Sequence, residues 1–474
     1  MDKIIGREEE IKKLDRVMSE SEAQLVIVSG RRRVGKTFLI NEYFHNSFAF
    51  KFTGSESQKN PEQLRNFSME LNMTSPKKYD VPKDWTEAFF DLREYLDEQD
   101  AEEKQVVFFD EMPWMDKKQS GFLPAFEWFW NSWGASKKNL VFIVCGSVTS
   151  WIVENFDENK GGLFNRQTAR LFIEPFDLRH TEMYLDSRGI SWSRYDIVQV
   201  YMIMGGIPFY LRLLDPELTL NENIDNMFFR KRAELFNEFN HLYNTLFSNS
   251  EAYIKIVSAL SEKRCGLIRE EIVSKTGIPA NGVLSTMLSN LEKSGFIRIN
   301  REYGNKKRNT RYQLSDYYSL FYFKFIRDNY GKDEHFFSNM NDNSARRAWA
   351  GLTFEQVCKD HISQIKNSLG IAGVLSTEST FYRKGSDEKK GAQVDLVIER
   401  GDNVVNLCEI KFSTHEYEID KEYDMSLKRK VDVFRESTRC NKTIIVTMIT
   451  TYGIKKNKYS NYVGREILMD ELFI

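Results

Sequence analysis

The chain is poor in features that would assign it to several common protein classes. Its five cysteines are scattered over 474 residues, and no two of them form a Cys-x-x-Cys pair. This spacing argues against a zinc centre or a disulfide framework and fits a reducing compartment, so we expect a cytoplasmic protein. The sequence also has no signal peptide and no apolar run long enough to cross a bilayer, so no membrane span is expected.

An excess of charge of one sign is missing as well. Lys and Arg together number 67 and Asp and Glu 69, which gives a formal net charge of −2. Such a chain has no general attraction for nucleic acid, so any basic surface must be local. There is no internal repeat and no low-complexity tract. The length predicts about three domains, each with a core of its own.

The chain does contain a phosphate-binding loop with the pattern G-x-x-x-x-G-K-[ST]. A short apolar segment at 25–28 precedes it and a predicted helix follows, which makes a chance match a poor explanation. Backbone N–H groups would surround the phosphates, while Lys36 reaches the β- and γ-phosphates and Thr37 holds Mg²⁺. The predicted ATP-binding residues are Gly30, Arg31, Arg32, Arg33, Val34, Gly35, Lys36 and Thr37. The three arginine side chains are expected to face outward, towards acidic partners.

A second motif lies downstream, where the apolar segment 106–109 ends in Asp110 and Glu111. Asp110 is expected to hold Mg²⁺ through water, and Glu111 to polarise the attacking water. On its own, an acid pair after a strand is usually a solvated strand end. Together with the upstream loop it favours a catalytic role.

The order of apolar segments predicts several domains. Residues 1–180 alternate strands and helices, as in a parallel sheet covered on both faces, and form the predicted ATPase domain. A helical lid at 181–244, a winged-helix domain at 245–330, a polar linker at 331–344 and a mixed α/β domain at 345–474 follow. The predicted strands are 25–28, 48–53, 106–109, 140–145 and 171–173, then 393–399, 404–411 and 443–447.

Residues 1–240 resemble the archaeal-type ATPase family, a STAND-like branch close to AAA+ proteins. The resemblance rests on Gly6-Arg7-Glu8, the phosphate loop, Asp110-Glu111, Gly146-Ser147 and Gly205-Gly206-Ile207-Pro208. It implies a P-loop sheet with strand order 5-1-4-3-2, in which the extra strand is the segment 48–53.

Three further residues receive roles by this resemblance, each with a plainer alternative. Ser147 would sense the γ-phosphate or orient water, or else cap the turn after its strand. Arg166, expected at a helix end, would act as an arginine finger towards a neighbouring subunit, or else form a surface ion pair. Pro208 would contact the adenine, or else only break a helix.

The middle of the chain has the order of a winged helix-turn-helix. Predicted helices at 253–260, 269–276 and 283–294 precede a basic hairpin, and an aromatic helix follows at 317–325. The hairpin carries Arg298, Arg301, Lys306, Lys307, Arg308 and Arg311 against one acid, Glu302. Such a cluster could bind DNA phosphates without sequence preference. The third helix has Lys293 as its only basic residue, which argues against base readout and leaves a lid role open.

The C-terminal segment carries a second possible active site. Asp395 follows Val394, and Glu409 and Lys411 share one face of the next predicted strand. Asp395 and Glu409 could share Mg²⁺ while Lys411 orients water. The pattern resembles the PD-(D/E)xK nuclease core, a restriction-endonuclease-like fold, although Val394 replaces the usual proline. Glu355 matches the helix acid of that fold, and basic residues 428–430 would touch backbone phosphate.

Two interpretations of function remain at the sequence level, with a third in reserve. In the first, ATP controls a Mg²⁺-dependent nuclease acting on DNA, in a possible homo-oligomer. In the second, a nucleotide-switched DNA-binding or interaction protein keeps an inactive nuclease fold as a scaffold. The third is a house-keeping ATPase with a peptide or protein partner.

Overall fold

The computed structural model describes residues 4–99, 102–147, 149–157, 162–247, 249–304, 310–341, 343–385 and 391–474. These residues form two compact units, 1–175 and 176–474. The first unit ends close to the predicted boundary at residue 180. The finer division of the second unit stays a prediction. None of the helices in the described ranges is both long and apolar enough to cross a membrane.

The first unit alternates helices and strands. In chain order its elements are α1 (Glu8–Ser19), β1 (Gln24–Gly30), α2 (Lys36–Tyr43), β2 (Phe50–Thr53), α3 (Asn60–Thr74), α4 (Trp85–Asp97), β3 (Gln105–Asp110), α5 (Phe122–Ser132), β4 (Leu140–Gly146), α6 (Thr149–Ile152) and β5 (Ala169–Ile173). All sheet pairings are parallel, in the order β2-β3-β4-β1-β5. This order confirms the prediction 5-1-4-3-2. It brings the carboxyl ends of β1, β3 and β4 to one edge, where ligands of such sheets bind.

An aromatic core explains why the acid pair after β3 is firmly placed. Phe109, the last apolar residue of β3, is fully buried, and its ring lies 5.0 Å from that of Phe142 and 5.8 Å from that of Phe89. Aromatic pairs at such distances add to the stabilisation by burial alone. The backbone that carries Asp110 and Glu111 is therefore anchored on its core side.

The second unit is helical at first and then mixed. Its elements are α7 (Leu178–Ser187), α8 (Arg194–Met204), α9 (Pro208–Leu211), α10 (Leu220–Ile224), α11 (Glu238–Leu246), α12 (Ser250–Ser261), α13 (Arg269–Thr276), α14 (Gly282–Lys293), β6 (Ile297–Asn300), β7 (Arg311–Leu314), α15 (Tyr317–Phe321), α16 (Phe336–Asn339), α17 (Ser344–Asp360), α18 (Ile362–Ser368), β8 (Ser376–Arg383), β9 (Ala392–Arg400), β10 (Val404–Lys411), α19 (Lys421–Thr438), β11 (Thr443–Thr450) and β12 (Arg465–Leu468). The strands β6 and β7 pair antiparallel after three helices, the element order expected for 245–330.

The segment 331–344, expected to be a polar linker, contains the short helix α16 in its described part. Phe337 is buried, and its backbone N–H donates to Asp225 Oδ1 at 2.8 Å. The Ser338 hydroxyl donates to Asp225 Oδ2 at 2.5 Å. A buried carboxylate on a preceding helical turn thus satisfies the backbone of α16, and the role of 331–344 as a linker between domains stays a prediction.

The C-terminal sheet has the order β12-β11-β10-β9-β8. The strand β9 runs antiparallel to both β8 and β10, whereas β10, β11 and β12 are parallel. The helix α19 packs on this sheet through Leu427, Val431 and Phe434. Sequence analysis predicted the three central strands and missed β8 and β12, whose exposed polar residues hide the apolar pattern.

Candidate active sites

The phosphate loop owes its shape to residues with positive φ angles. Gly30 has φ 144°, and a Cβ atom there would lie 2.3 Å from the carbonyl oxygen of Ile173, so no other residue fits. Arg33 and Gly35 are left-handed as well, with φ angles of 73° and 90°. The helix α2 then begins at Lys36. A left-handed turn running into a helix N-terminus directs N–H groups into a concavity that suits anions.

Lys36 is buried and held entirely by neutral oxygen atoms. Its ammonium donates to the carbonyls of Gly30 at 3.0 Å and Arg31 at 2.9 Å, and to the Ser147 hydroxyl at 3.0 Å. Within the described part of the chain, none of these three partners carries a formal charge. The positive charge of Lys36 is therefore free of a competing carboxylate contact and suits a phosphate.

The acids after β3 face the same place. The Thr37 hydroxyl donates to Asp110 Oδ2 at 2.9 Å, so the two predicted Mg²⁺ ligands are adjacent. Burial and the neighbouring Glu111 raise the pKa of Asp110. The oxygen set of a hydroxyl and one carboxylate fits Mg²⁺, which keeps several waters and takes further oxygens from phosphates.

Glu111 connects this acid pair to Ser147. Its backbone has φ 49° and ψ 45°, a left-handed conformation that costs about 1 kcal/mol in a residue other than glycine. The Ser147 hydroxyl lies 2.5 Å from Glu111 Oε1, and the Ser147 N–H donates to Oε2 at 3.2 Å. Strained residues of this kind gather at functional sites. Ser147 thus touches both Lys36 and Glu111, and its role as a sensor stays a prediction.

The three loop arginines depart from their expected outward orientation. Arg31, Arg32 and Arg33 are all half-buried, and each has one terminal guanidinium nitrogen shielded from solvent. The Arg32 guanidinium lies 6.0 Å from the centre of the Trp114 ring, in the turn that follows Glu111. The outward orientation is wrong because an aromatic side chain next to the acid pair packs against one of them.

Arg7 supports the loop in a way that sequence reasoning did not identify. Its guanidinium donates to the carbonyl oxygens of Val34, at 3.2 Å, and Glu174, at 2.8 Å. It therefore ties the loop to the chain just after β5. The signal was present in the Gly6-Arg7-Glu8 segment, but the motif alone gives no contact.

Two further residues, Arg166 and Pro208, have predicted nucleotide roles. Arg166 is exposed and follows a turn at 162–165 rather than a helix, with its Nε 3.4 Å from the Gly162 carbonyl oxygen. The helix-end placement is therefore wrong, while the finger role stays a prediction. Pro208 begins α9 in the second unit, and its adenine contact also stays a prediction.

The C-terminal acids lie on the β9–β10 hairpin. The antiparallel register ends with the pair of Cys408 and Leu396, and Glu409 and Asp395 are the next residues on their strands. The Ile410 N–H of β10 donates to Asp395 Oδ2 at 3.4 Å, which brings the Asp395 carboxylate next to the strand that carries Glu409. Both carboxylates are buried, at 8% exposure for Asp395 and 2% for Glu409, and both line a groove of about 510 Å³ together with Glu355 and Lys411.

Two cations already neutralise these acids. Arg264, from the turn between α12 and α13, forms ion pairs with Glu355 and, at 3.4 Å, with Asp395. The Lys430 ammonium lies 2.6 Å from Glu409 Oε2. Sequence analysis missed Arg264 because nothing in its local pattern connects it to a strand some 130 residues away.

Glu409 keeps one oxygen that could take a ligand. Its Oε2 accepts from Lys430 and from the Tyr423 hydroxyl at 3.2 Å, whereas Oε1 is buried with no hydrogen-bond partner. Burial and the nearby Asp395 raise the pKa of Glu409. Buried polar atoms are nearly always satisfied, so an orphaned carboxylate oxygen suits a cation. The described residues contain no group of three or more His, Cys, Asp or Glu side chains placed to hold a metal ion.

The basic residues expected to touch DNA are largely engaged within the chain. Arg298 pairs with Asp360, and Arg311 lies near Glu271 and Glu302. Of the other hairpin residues, Arg301 is exposed, and Lys306, Lys307 and Arg308 lie outside the described residues. On α19, Lys428 pairs with Asp424 and Lys430 with Glu409. The sequence count of basic residues therefore overstates the charge offered to phosphate.

The parallel sheet, the glycine loop with Lys36 and Thr37, and the Asp110–Glu111 pair define a P-loop nucleoside triphosphatase. Residues 4–214 match the family described as an ATPase domain predominantly from Archaea. The protein is therefore an ATPase, and its P-loop region is similar to that family. The match ends at residue 214 and leaves most of the second unit unassigned.

Relatives and solved structures extend the comparison without naming an activity for the rest of the chain. An uncharacterized protein of Methanocaldococcus jannaschii is 24% identical over 412 residues, 86% of this chain and 87% of that protein. An uncharacterized ATP-binding protein of the same organism is 48% identical over 42 residues, 9% of this chain and 71% of that protein.

Two solved structures are similar. A Walker-type ATPase of Pyrococcus abyssi has 18% identity and a TM-score of 0.47, covering 68% of this chain and 96% of that one. The ORC2 protein of Aeropyrum pernix has 11% identity and a TM-score of 0.42, covering 76% and 96%. These TM-scores are too low to carry a functional argument.

Proposed function

We propose that this ATPase controls a metal-dependent nuclease domain formed by residues 345–474, with DNA as its substrate. The observation that carries the proposal is that the buried carboxylates of Asp395 on β9 and Glu409 on β10 line one groove, which Lys411 also lines. Two buried carboxylates at one groove are expensive to desolvate, and a scaffold gains nothing from them.

The residues present fit a divalent cation at this groove. Asp395 and the unpartnered Oε1 of Glu409 would hold Mg²⁺, which supplies charge stabilisation at phosphate and an activated water when bound. Lys411 would orient the attacking water or the phosphate. Its ammonium lies 5.1 Å from the centre of the Tyr423 ring, which limits its freedom.

On the ATPase side, the contacts support a division of roles. Lys36 would bind the β- and γ-phosphates, while Thr37 and Asp110 would hold Mg²⁺. Glu111 would act as the base that polarises water. Ser147, in contact with both Lys36 and Glu111, would link the nucleotide state to the position of that base.

Three further roles in the proposal are supported by the resemblance to known families rather than by contacts within the chain. Arg166, exposed after its turn, would serve a neighbouring copy in a homo-oligomer, and Pro208 would contact the adenine. The unit of α12–α14 with the β6–β7 hairpin would act as a winged helix on DNA, with Arg301 as an exposed basic residue.

A second candidate function is a nucleotide-switched regulator whose nuclease fold is inactive. The observation in its favour is that Arg264 and Lys430 neutralise Glu355, Asp395 and Glu409 within the chain. A permanently neutralised acid cluster would be structural. The two candidates therefore differ in whether those cations can leave.

The test is cleavage of labelled DNA by the purified full-length protein with Mg²⁺ or Mn²⁺, with and without ATP. We expect cleavage that is lost in Asp395→Ala and Glu409→Ala and retained in Glu418→Ala, a matched exposed acid. Lys36→Ala should remove the dependence on ATP.

Absence of cleavage by the wild type under every condition would favour the regulator. Cleavage that persists in both Asp395→Ala and Glu409→Ala would refute the site assignment.

A further inference from the structure

Arg264 occupies an unusual position for a residue outside the sheet domain. It lies in the turn between α12 and α13, yet its guanidinium contacts Glu355 on α17 and Asp395 on β9. Its side chain is 41% exposed, whereas those of Glu355 and Asp395 are 11% and 8% exposed. The cation is thus the accessible member of the cluster and the acids are the buried ones.

A single nitrogen, Nη2 of Arg264, makes both contacts. It therefore stands at the point where the two carboxylates converge. A divalent cation bound to Asp395 would need the same carboxylate oxygens at about 2.0–2.1 Å. The guanidinium and a bound cation cannot share that position.

We propose that Arg264 is an autoinhibitory latch on the carboxylate cluster. A metal ion and substrate bind at the cluster by displacing the Arg264 guanidinium. The inference rests on the proposed nuclease function and adds a control to it. In the latched state the cluster is neutralised by protein charge, and in the released state by a divalent cation.

The charge balance of the cavity supports displacement over coexistence. Three cations, Arg264, Arg311 and Lys359, line the same cavity as three acids, Glu302, Glu355 and Asp395. Within the described chain no ion pair involving Lys359 is present, and its pKa is lowered by burial and by the neighbouring Arg298 and Arg264. Adding two more positive charges without releasing Arg264 would leave a strong local excess.

A neighbouring groove can accommodate the released guanidinium. Arg264 also lines the open groove that holds Glu409, Lys411 and Arg429, where the phosphate of a nucleic-acid strand would lie. Guanidinium groups bind phosphate oxygens in the same forked geometry as carboxylates. The backbone carbonyl of Arg264 accepts a hydrogen bond from Gln313 of β7, at 2.8 Å. Arg264 is therefore hydrogen-bonded to the hairpin proposed to bind DNA. Binding of a DNA strand to this hairpin would move the Arg264 guanidinium away from the two acids.

The test is Mn²⁺ binding by the full-length protein without nucleotide, measured by calorimetry. Arg264→Met keeps the side-chain length and removes the charge, and we expect it to bind Mn²⁺ at least about 10-fold more tightly than the wild type. Arg269→Met is the control and should leave the affinity unchanged, because the half-buried Arg269 donates to the Asn281 carbonyl, which is not part of the carboxylate cluster. Asp395→Asn in either background should remove this site, which separates it from any Mn²⁺ bound near Asp110.

Equal Mn²⁺ affinity in the wild type and Arg264→Met would overturn the latch. If Arg264→Met folds poorly, Arg264→Gln keeps hydrogen bonding without the charge and should show the same gain. Tighter Mn²⁺ binding without any DNA cleavage would uphold the latch and reject the nuclease proposal. If the wild type cleaves DNA but Arg264→Met and Arg264→Gln bind Mn²⁺ no more tightly than the wild type, the latch is rejected and the nuclease proposal is upheld.

Discussion

The two candidate sites of this chain hold their charges in opposite ways. In the first unit, the ammonium of Lys36 donates hydrogen bonds to two carbonyls and a hydroxyl, all neutral. In the second unit, the buried carboxylates of Asp395 and Glu409 form ion pairs with Arg264 and Lys430, respectively. Burial raises the pKa of an acid in each site, Asp110 and Glu409, so depth alone does not distinguish them.

The difference lies in what a ligand must displace. A triphosphate that approaches Lys36 replaces weak neutral partners with a charged one, which is favourable from the outset. A divalent cation that approaches Asp395 must first remove a protein cation. The first site is therefore ready for its ligand, and the second is restrained until another event releases it.

The largest effect is expected from Lys36→Ala. Removing the one ammonium in the loop should lower kcat/KM for ATP about 1000-fold, because no other cation contacts the same carbonyls in the described chain. Lys12→Ala, on the exposed face of α1, is the control and should hydrolyse ATP like the wild type. A Lys36→Ala protein with near-normal ATP hydrolysis would show that the loop is not the catalytic phosphate site.

Glu111→Gln should separate binding from chemistry. We expect ATP affinity to stay close to that of the wild type while kcat falls about 100-fold, because the amide cannot accept a proton. Ser147→Ala should lower kcat about 10-fold, through loss of the Ser147–Glu111 contact at 2.5 Å. Single-turnover hydrolysis with a parallel nucleotide-binding assay measures both. Hydrolysis by Glu111→Gln at the wild-type rate would remove Glu111 from the mechanism.

Sequence analysis predicted the first site better than the second for a physical reason. The phosphate loop, Asp110 and Glu111 are contiguous motifs whose geometry follows from one turn and one strand end. The sheet order followed from the family resemblance. That order brings Thr37 to Asp110, and Ser147 to Lys36 and Glu111. The orientation of Arg32 was missed because Trp114 belongs to another segment.

The second site depends on contacts between distant segments. The strand pair carrying Asp395 and Glu409 was predictable from alternating apolar residues. The partners were not, because Arg264 comes from a turn between helices and Lys430 from a helix expected to face DNA. The number of charged residues in a segment does not show whether a basic side chain is available to bind a ligand or is already paired with a buried acid.

Lys430→Met tests whether the second site depends on its internal cation. Glu409 has a side chain only 3% exposed, so loss of its partner leaves a buried charge, and we expect a loss of about 2–3 kcal/mol of unfolding free energy. Lys428→Met, two positions earlier on α19, removes a lysine that is 51% exposed and should cost less than about 1 kcal/mol of unfolding free energy. Urea unfolding at neutral pH measures both. Equal losses would mean that the Lys430–Glu409 pair has no special weight.

The smallest expected effect concerns Lys359, a buried cation in the cavity next to Asp395. Burial and the neighbouring Arg298 lower the pKa of Lys359 from 10.5 to about 8, with Arg264 adding to the shift and Asp395 and Asp360 opposing it. Since the pKa is lower in the folded state, ionised Lys359 costs stability below about pH 8, and this cost fades as the pH rises towards 10.5. Lys359→Met should therefore raise the unfolding free energy by about 1–2 kcal/mol at pH 7 and by clearly less at pH 9.5.

Lys421→Met, at the exposed start of α19, is the control and should show no gain that depends on pH. Urea unfolding of the three proteins at the two pH values measures the difference. A gain of equal size at both pH values would assign the effect of Lys359→Met to apolar packing. In that case the charge of buried Lys359 would cost no stability, and the contrast with the neutral surroundings of Lys36 would depend on Arg264 and Lys430 alone.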